Sequence, residues 1–306
     1  MNEMVADGQV IVDHQTALIS VPKVICREIR TTDADGVINL LTRGFSDARG
    51  RKFWVAAFSR LASHPTPPGY PRYGYMLEAD GEPVGIILLI FTAIEDSAET
   101  RILCSVSSWY VDPKYRAFAT LLIACALKHK HITYYNVTPA PHTWKILTAQ
   151  GYRKFSSGRV VATPLLSPPV RGARTEEFSA GLDLAADLSS FEIDMLRAHQ
   201  SYECLSVICR AGGETHPFVF SVRRRFGAIR FAFLVYCRSQ ENFVRLAGTL
   251  GRFLALRGIL LVILDANGPV PGLVGRYSNR NPKYCKGPSQ PRLGNLAYSD
   301  RAMFGV

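Results

Sequence analysis

The residues best placed to do chemistry lie where an apolar strand is predicted to run into a helix. Residues 108–122, SWYVDPKYRAFATLL, form this junction: the strand ends at Pro113, and Arg116 follows in a helix-forming run. The first amide groups of a helix have no partner within it, so they present N–H donors and the positive end of the helix dipole. Such amides, with a guanidinium beside them, bind phosphates. The spacing therefore predicts a pyrophosphate site at this junction.

Composition and charge narrow the classes of partner. The chain has 306 residues, which favours two domains over a single core. Its net charge is +11, from 36 basic and 25 acidic residues, and this excess favours anionic partners such as a nucleotide or a phosphorylated cofactor. The longest basic run is residues 223–225, and basic and aromatic residues are not interleaved in a recognisable motif. These features argue against a nucleic-acid surface.

The cysteines and the apolar runs indicate a cytoplasmic protein without a membrane span. The seven cysteines are odd in number and include no C-x-x-C pair, which is typical of reduced thiols and not of disulfides or zinc ligands. Residues 1–22 contain no apolar core of the signal-peptide kind. The longest apolar runs, 84–94 and 259–264, are too short to cross a bilayer and are predicted to be buried strands. No bound metal is predicted.

Periodicity in the first half predicts an alternation of strands and helices. A hairpin is predicted from strands 75–78 and 84–91, joined by the turn residues Asp80 and Gly81. Its flanking elements are a strand at 24–29, helices near 37–41 and at 52–62, a strand at 102–111, a helix at 115–129, a strand at 132–137 and a helix at 141–149. The set ends at Gly151 and Tyr152. This order predicts an α/β domain.

Three of these features together resemble the GNAT acyltransferase superfamily. The junction resembles its coenzyme A loop, V-x-P-x-x-R/Q-x-x-G-x-G/A, with Val111, Pro113 and Arg116 in place and with Ala119 and Leu121 at the small positions. The hairpin segment 79–85, ADGEPVG, and the end at residues 151–152 fall where the superfamily layout places them. The resemblance implies a central mixed sheet flanked by helices, with acetyl-CoA or another acyl-CoA as co-substrate.

The resemblance also implies which residues bind coenzyme A. The strand at 109–111 would hydrogen-bond the pantetheine arm, and the amides of 116–120 would take the pyrophosphate. The predicted cofactor-binding residues are Trp109, Tyr110, Val111, Tyr115, Arg116, Ala117, Phe118, Ala119 and Thr120.

Catalytic residues are harder to assign, because the last superfamily motif is altered. Aligning that motif puts Ala140 at the asparagine that holds the cofactor and Leu147 at the tyrosine that commonly protonates the departing thiolate. The remaining candidates are His142 at the start of a helix, Tyr135 on the fifth strand and Ser108 on the central strand. Each also has a structural interpretation: a solvated first-turn residue, a core aromatic and a small strand residue.

The second half is interpreted as a degenerate copy of the first. Helix 241–256 and strand 259–264 repeat the earlier helix and strand at an offset of about 127 residues. The segment at the position of the cofactor loop, 237–251, has no V-x-P and no matching arginine, so we expect no coenzyme A there. A terminal strand is predicted near 296–304. The predicted ranges are a tail at 1–22, an acyl-CoA-binding domain at 23–162, a linker at 163–175 and the degenerate domain at 176–306.

Two functions follow from this interpretation. The first is transfer of an acyl group from acyl-CoA to an amine or hydroxyl of a small-molecule, sugar or protein acceptor. Direct attack by the acceptor needs few catalytic groups beyond positioning and a proton acceptor. The alternative is a non-catalytic tandem GNAT-like module that binds acyl-CoA or a protein partner. Residues Ala119, Leu121, Ala140 and Leu147, which replace superfamily motif positions, favour the alternative.

Overall fold

A computed structural model describes residues 23–45, 49–96, 99–179, 187–225 and 229–305. The predicted tail at 1–22 lies outside these residues. The strands are β1 (Val24–Glu28), β2 (Gly74–Ala79), β3 (Glu82–Asp96), β4 (Glu99–Val111), β5 (Thr133–Asn136), β6 (Arg153–Ser156), β7 (Gly158–Ala162), β8 (Arg174–Glu177), β9 (Leu205–Ala211), β10 (Glu214–Arg225), β11 (Ile229–Cys237), β12 (Ile259–Ala266), β13 (Gly275–Ser278) and β14 (Lys283–Lys286). The helices are α1 (Ala34–Gly44), α2 (Arg51–Ser63), α3 (Ala119–Ala126), α4 (Trp144–Ala149), α5 (Ser190–Ser201), α6 (Gln240–Ala255) and α7 (Asp300–Met303).

The strands form two mixed sheets flanked by helices, as the sequence predicts. The first sheet has the order β1-β2-β3-β4-β5-β14-β6, and the second has the order β13-β7-β12-β11-β10-β9-β8. Each sheet contains one parallel pair joined through a helix, β4 with β5 and β11 with β12. The hairpin of β2 and β3 turns at Asp80 and Gly81, whose φ angles of 51° and 83° match the primed turn that such hairpins favour.

The two sheets exchange strands across the predicted linker. Strand β14, from the C-terminal half, lies between β5 and β6 in the first sheet. Strand β7, which precedes the linker, pairs with β12 and β13 in the second sheet. Each sheet is therefore completed by a strand from the other half of the chain. The domain ranges 23–162 and 176–306 stay predictions, because sheet membership alone does not define where a domain ends.

Side chains on alternate positions of β3 place two separate cores on the two faces of the first sheet. Ile86 and Leu88 pack with α1 and α2, in a core that also contains Met303 of α7. Ile87 and Leu89 pack on the opposite face with α3 and α4. The core with α1 and α2 continues into the second unit, where α5 contributes to it. The two units thus share a core on one face of the first sheet.

The terminal strand predicted near 296–304 is wrong. Tyr298 has a φ of 59°, which reverses the chain and is incompatible with an extended strand. Its amide donates to Nε2 of His199 at 3.4 Å, and the amide of Ser299 donates to the carbonyl of Leu296. The chain then forms the short helix α7, whose Met303 carbonyl accepts a 2.8 Å hydrogen bond from Arg60 on α2. The conformation of this segment is therefore set by long-range contacts, which the local sequence pattern does not show.

The helix predicted at 115–129 is also shorter than expected. Residues Pro113–Phe118 form a 3-10 helix, and α3 begins only at Ala119. The proline at its first position fixes a helical φ without a donor, and the tighter turn then continues to Phe118.

The cysteine side chains of the described residues form no disulfide bonds. All seven cysteines are free, and five of them are buried. No helix in the described ranges is long and apolar enough to cross a membrane. The same ranges contain no group of three or more histidine, cysteine, aspartate and glutamate side chains placed to hold a metal ion.

Candidate active site

The parallel strands β4 and β5 separate and leave an opening in the first sheet. They pair only where Leu103 to Ser105 face Thr133 to Tyr135. Beyond this point β4 continues to Val111, whereas β5 ends at Asn136. A cavity of about 370 Å³ lies in the opening, lined by β4 residues 106–109 and by residues 136 and 138–140 after β5. Its size is in the range of small-molecule sites.

The cavity passes from one face of the sheet to the other, and its two sides differ in polarity. On the α3 and α4 side its wall includes the apolar Ile123, Leu127 and Leu147, which lie in or against the core of that face. The polar residues His142, Thr143 and Gln150, which flank α4, line the outer part of the same side. On the α1 and α2 side its wall includes Arg49 and Asp300. An apolar ligand segment therefore fits one face of the sheet, and a charged ligand fits the other.

A β-bulge at Ser108 shapes β4 where it lines the cavity. Leu88 of β3 faces Ser107, but Ile86 faces Tyr110, so Ser108 and Trp109 together stand opposite Ile87. Ser108 has a φ of 50°, a conformation that few residues other than glycine adopt. In a regular strand, Ser107 and Trp109 would point to the same face of the sheet. The extra residue of the bulge puts them on opposite faces, with Ser107 bonded to Asp300 and Trp109 packed against the α3 core.

Asp300, at the start of α7, brings a carboxylate from the C-terminal segment into this cavity. Its Oδ2 atom accepts hydrogen bonds from Oγ of Ser107 at 3.1 Å and from Oγ1 of Thr138. Oγ of Ser107 lies 3.0 Å from Oγ of Ser108. The Oδ1 atom is buried and has no hydrogen-bond partner among the described residues. The carboxylate is thus held by one oxygen while the other is unsatisfied.

A second unsatisfied group in the cavity is the indole of Trp109. Its Nε1 donor is buried without a hydrogen-bond partner within the described ranges, and the side chain lines the cavity. Buried donors are nearly always paired in folded proteins, so an unpaired one beside a cavity indicates a ligand acceptor or an ordered water.

The structure brings some of the predicted site residues together and separates others. Ser108, Trp109 and His142 line the cavity, with His142 exposed in the 3-10 turn Pro141–Thr143. Tyr135 does not line it: its side chain is 3% exposed, belongs to the α1 and α2 core, and donates to the carbonyl of Ala297 at 3.4 Å. Burial raises the pKa of Tyr135 above its usual value. Tyr134 packs in the opposite core, as alternation predicts.

The predicted phosphate-binding residues lie at one end of β4. Tyr110 donates to Asp112 at 2.9 Å, and Val111 is buried. The amide of Tyr115 donates to the carbonyl of Asp112, and that of Ala119 donates to the carbonyl of Arg116, so neither is a free donor. Arg116, Ala117 and Thr120 are exposed, whereas Phe118 is half-buried. Arg116 makes no hydrogen bond or ion pair with other described residues, and Leu121 is 39% exposed and so does not point into the core.

Sequence reasoning missed Asp300, Thr138 and Arg49. Asp300 lies in a segment predicted to be a strand, and the only local sign of a helix start is Ser299 directly before it. Thr138 and Arg49 lie outside the regular elements, where no periodicity marks them.

Comparison with known proteins supports the fold. No protein-family model and no curated protein matches the sequence. Among solved structures, a GCN5-related N-acetyltransferase from Anabaena variabilis is similar with 11% identity and a TM-score of 0.56, over 92% of this chain and 75% of that one. A GCN5-related N-acetyltransferase from Kribbella flavida is similar with 14% identity and a TM-score of 0.53, over 86% of this chain and 71% of that one.

These similarities extend over both sheets. With its two sheet–helix units, the chain has the fold of tandem GCN5-related N-acetyltransferase-like domains, which confirms the fold class predicted from the sequence.

Proposed function

We propose that this protein transfers an acyl group from an acyl-CoA to an amine or hydroxyl of a small acceptor. The observation that carries this proposal is the opening between β4 and β5, an apolar channel on one face of the sheet that meets a charged chamber on the other. Two substrates can reach the same point from opposite faces. The GNAT-like fold supports the same reaction class.

The residues of the α3 side fit the pantetheine arm of coenzyme A. This arm is a chain with two amide groups, and the opening offers it the unpaired Nε1 donor of Trp109 and an apolar wall at Ile123 and Leu127. The exposed guanidinium of Arg116, at the end of β4, would hold the pyrophosphate. The 3-10 turn uses the Tyr115 and Ala119 amides internally, so Arg116 would supply more of the phosphate binding than a free helix end would.

Acyl transfer needs one group that takes a proton from the acceptor and one that gives a proton to the departing thiolate. Both have to lie in the opening between β4 and β5, where the two substrates meet. Asp300 is the candidate to accept a proton from the attacking acceptor, because it lines the cavity and its Oδ1 has no hydrogen-bond partner among the described residues. Ser108 and the exposed His142 line the same cavity and are the candidates to return a proton to the departing thiolate. Leu147, at the motif position of the tyrosine acid, lies in the apolar wall and has no proton to give.

The alternative function is acyl-CoA binding without turnover. The apolar Leu147 and the 3-10 turn at the phosphate site support it. The buried, unsatisfied carboxylate of Asp300 supports catalysis instead, because a binding module has no use for a proton acceptor at this place.

Calorimetry and a thiol assay separate these functions. Titration with coenzyme A and with acetyl-CoA should give one site per chain, and acetyl-CoA with a panel of small amines should release thiol, followed with a thiol-reactive dye. Binding without thiol release for any amine would support the non-catalytic alternative. Absence of binding for both ligands would contradict the proposal.

Arg116→Ala should weaken coenzyme A binding about 10- to 100-fold, because a charge-assisted contact to phosphate is lost. Stability should not change, since Arg116 is exposed and makes no hydrogen bond or ion pair with the described residues. Titration calorimetry and thermal melting measure the two effects, with the exposed Arg171→Ala as the control. A lower melting temperature with unaltered affinity would show that Arg116 is structural.

A further inference from the structure

The charged side of the cavity contains two opposite charges that are not paired with each other by a hydrogen bond. Arg49 and Asp300 both line this side, Oδ1 of Asp300 accepts no hydrogen bond from the described residues, and the Asp300 charge also acts on the buried Arg301. Asp300 nevertheless acts on the Arg49 side chain through space: burial lowers the pKa of the guanidinium, and the nearby carboxylate opposes that shift. The two side chains line the same side of the cavity, and no hydrogen bond joins them.

Asp300 lines the cavity with one carboxylate oxygen that receives no hydrogen bond from the described residues. The residue is 1% exposed, and Oδ2 is occupied by the hydroxyls of Ser107 and Thr138. Oδ1 accepts nothing from the described residues. A buried carboxylate oxygen without a donor is costly, so in a residue of the cavity wall it indicates that a bound ligand or an ordered water supplies the donor. A cationic amine offers both N–H donors and the opposite charge.

Arg49 is oriented by aromatic rings that leave its N–H groups unused. Its guanidinium carbon lies 5.1 Å from the ring centre of Phe53, 5.7 Å from that of Trp54 and 5.9 Å from that of Phe45. Rings attract the face of the cation, but they do not accept the in-plane hydrogen bonds of its fork. A planar carboxylate matches that fork with two parallel bonds.

We propose that the acceptor is a small amino acid, whose ammonium group binds Oδ1 of Asp300 and whose carboxylate binds Arg49. This inference rests on the proposed acyl transfer and names the substrate class for the same site. The cavity of about 370 Å³ also has to hold the acyl end of the donor, which favours a small acceptor over a protein tail. A neutral sugar would supply neither an ammonium group for Asp300 nor a carboxylate for Arg49.

With the ammonium group bound to Asp300, the proton transfers of the reaction take the following order. The ammonium nitrogen gives one proton to Asp300, and the neutral amine then attacks the thioester carbonyl carbon, so that an N–C bond forms. The C–S bond then breaks, and the electron pair leaves with sulfur. The second proton lost by the nitrogen passes to this thiolate, through Ser108, His142 or water. Asp300 finally gives its proton to solvent, and the products are the N-acyl amino acid and coenzyme A.

The test is a screen of acceptors with acetyl-CoA, using the twenty common L-amino acids, β-alanine and 4-aminobutyrate. Each acid is paired with its amide and its decarboxylated amine, and taurine and phosphoethanolamine provide other anionic groups. Thiol release gives the rate, and mass spectrometry identifies the acetylated product. We expect at least one amino acid to be acetylated with a kcat/KM about 10- to 100-fold above that of its amide, as loss of a charge-assisted contact predicts.

Variants at Arg49 show whether this residue recognises the carboxylate. Arg49→Gln should abolish the preference for the acid over its amide mainly by raising KM for the acid, and Arg49→Lys should retain part of it. Arg51→Gln, which removes an exposed guanidinium paired with Asp35, should leave the preference unchanged. Acetyl-CoA affinity should be unaltered in all three variants.

Three outcomes would overturn the inference. They are equal rates for acid, amide and decarboxylated amine; a preference for taurine or phosphoethanolamine over every carboxylate; and binding of acetyl-CoA without acetylation of any amino acid. In each case, acetyl-CoA binding together with thiol release for some other amine would leave the proposed function standing. Acetyl-CoA binding without thiol release for any amine would instead support the non-catalytic alternative. If coenzyme A and acetyl-CoA do not bind at all, both the proposed function and this inference are wrong.

Discussion

Replacing Asp300 with asparagine should lower kcat for acetyl transfer by about 100- to 10,000-fold, the range typical of a lost general base. The asparagine oxygen can still accept hydrogen bonds from Ser107 and Thr138, so the local geometry should persist. Affinity for acetyl-CoA should change little, because Asp300 lies on the opposite side of the opening from the apolar channel. The rates are measured with the amine that turns over fastest.

A surface control makes this prediction specific. Asp194→Asn changes an exposed aspartate paired with Arg197 and should have no effect on rate. An Asp300→Asn enzyme that keeps more than half of the wild-type kcat would mean that another group accepts the proton.

The second large effect concerns a buried charge cluster where the two sheets meet. Lys283 of β14 and Asp265 of β12 are ion-paired, with exposures of 2% and 9%. Arg301 and Arg159 are also close enough to contribute to the electrostatics of this cluster. Asp265 is thus surrounded by three cations. Asp265→Asn should cost about 3–5 kcal/mol of unfolding free energy, as removal of one partner of a buried ion pair does.

Removing the lysine should cost less than removing the aspartate. In Lys283→Met, Asp265 still has Arg301 as a neighbouring cation. The substitution also removes one of three positive charges that repel each other, and it removes the cost of burying the lysine charge, which lowers the pKa of Lys283. Urea denaturation of both variants gives the comparison. If Lys283→Met destabilises the protein as much as Asp265→Asn or more, the arginines do not compensate Asp265, and the electrostatic description of this interface is wrong.

Much of the fold could be predicted from local patterns. The hairpin at Asp80 and Gly81 needs positive φ angles at both turn residues, and aspartate followed by glycine signals this in the sequence. The strands β3 and β12 contain long apolar runs that are typical of buried strands. Periodicity and turn residues therefore located the elements that carry the opening.

The sequence could not show the contacts that complete the site. Strand β14 is only four residues long, and its insertion between β5 and β6 depends on pairing with residues more than a hundred positions away. Helix α7 is equally short and is held by contacts with α2 and α5. Asp300 reaches the cavity through this packing. The predicted candidates Ser108, Trp109 and His142 lie on or beside elements that the sequence pattern predicts. Asp300 lies on a helix that the pattern does not predict.

Hydrogen–deuterium exchange with coenzyme A present and absent tests most directly whether the ligand occupies the opening between β4 and β5. Binding there predicts slower exchange in peptides that cover residues 106–111 and 116–123, and in the segment 136–140 after β5. Peptides that cover the start of α6 at 240–245, the corresponding position in the second unit, should be unchanged. Protection confined to α6 and the residues after β12, or no protection despite measurable binding, would contradict the account.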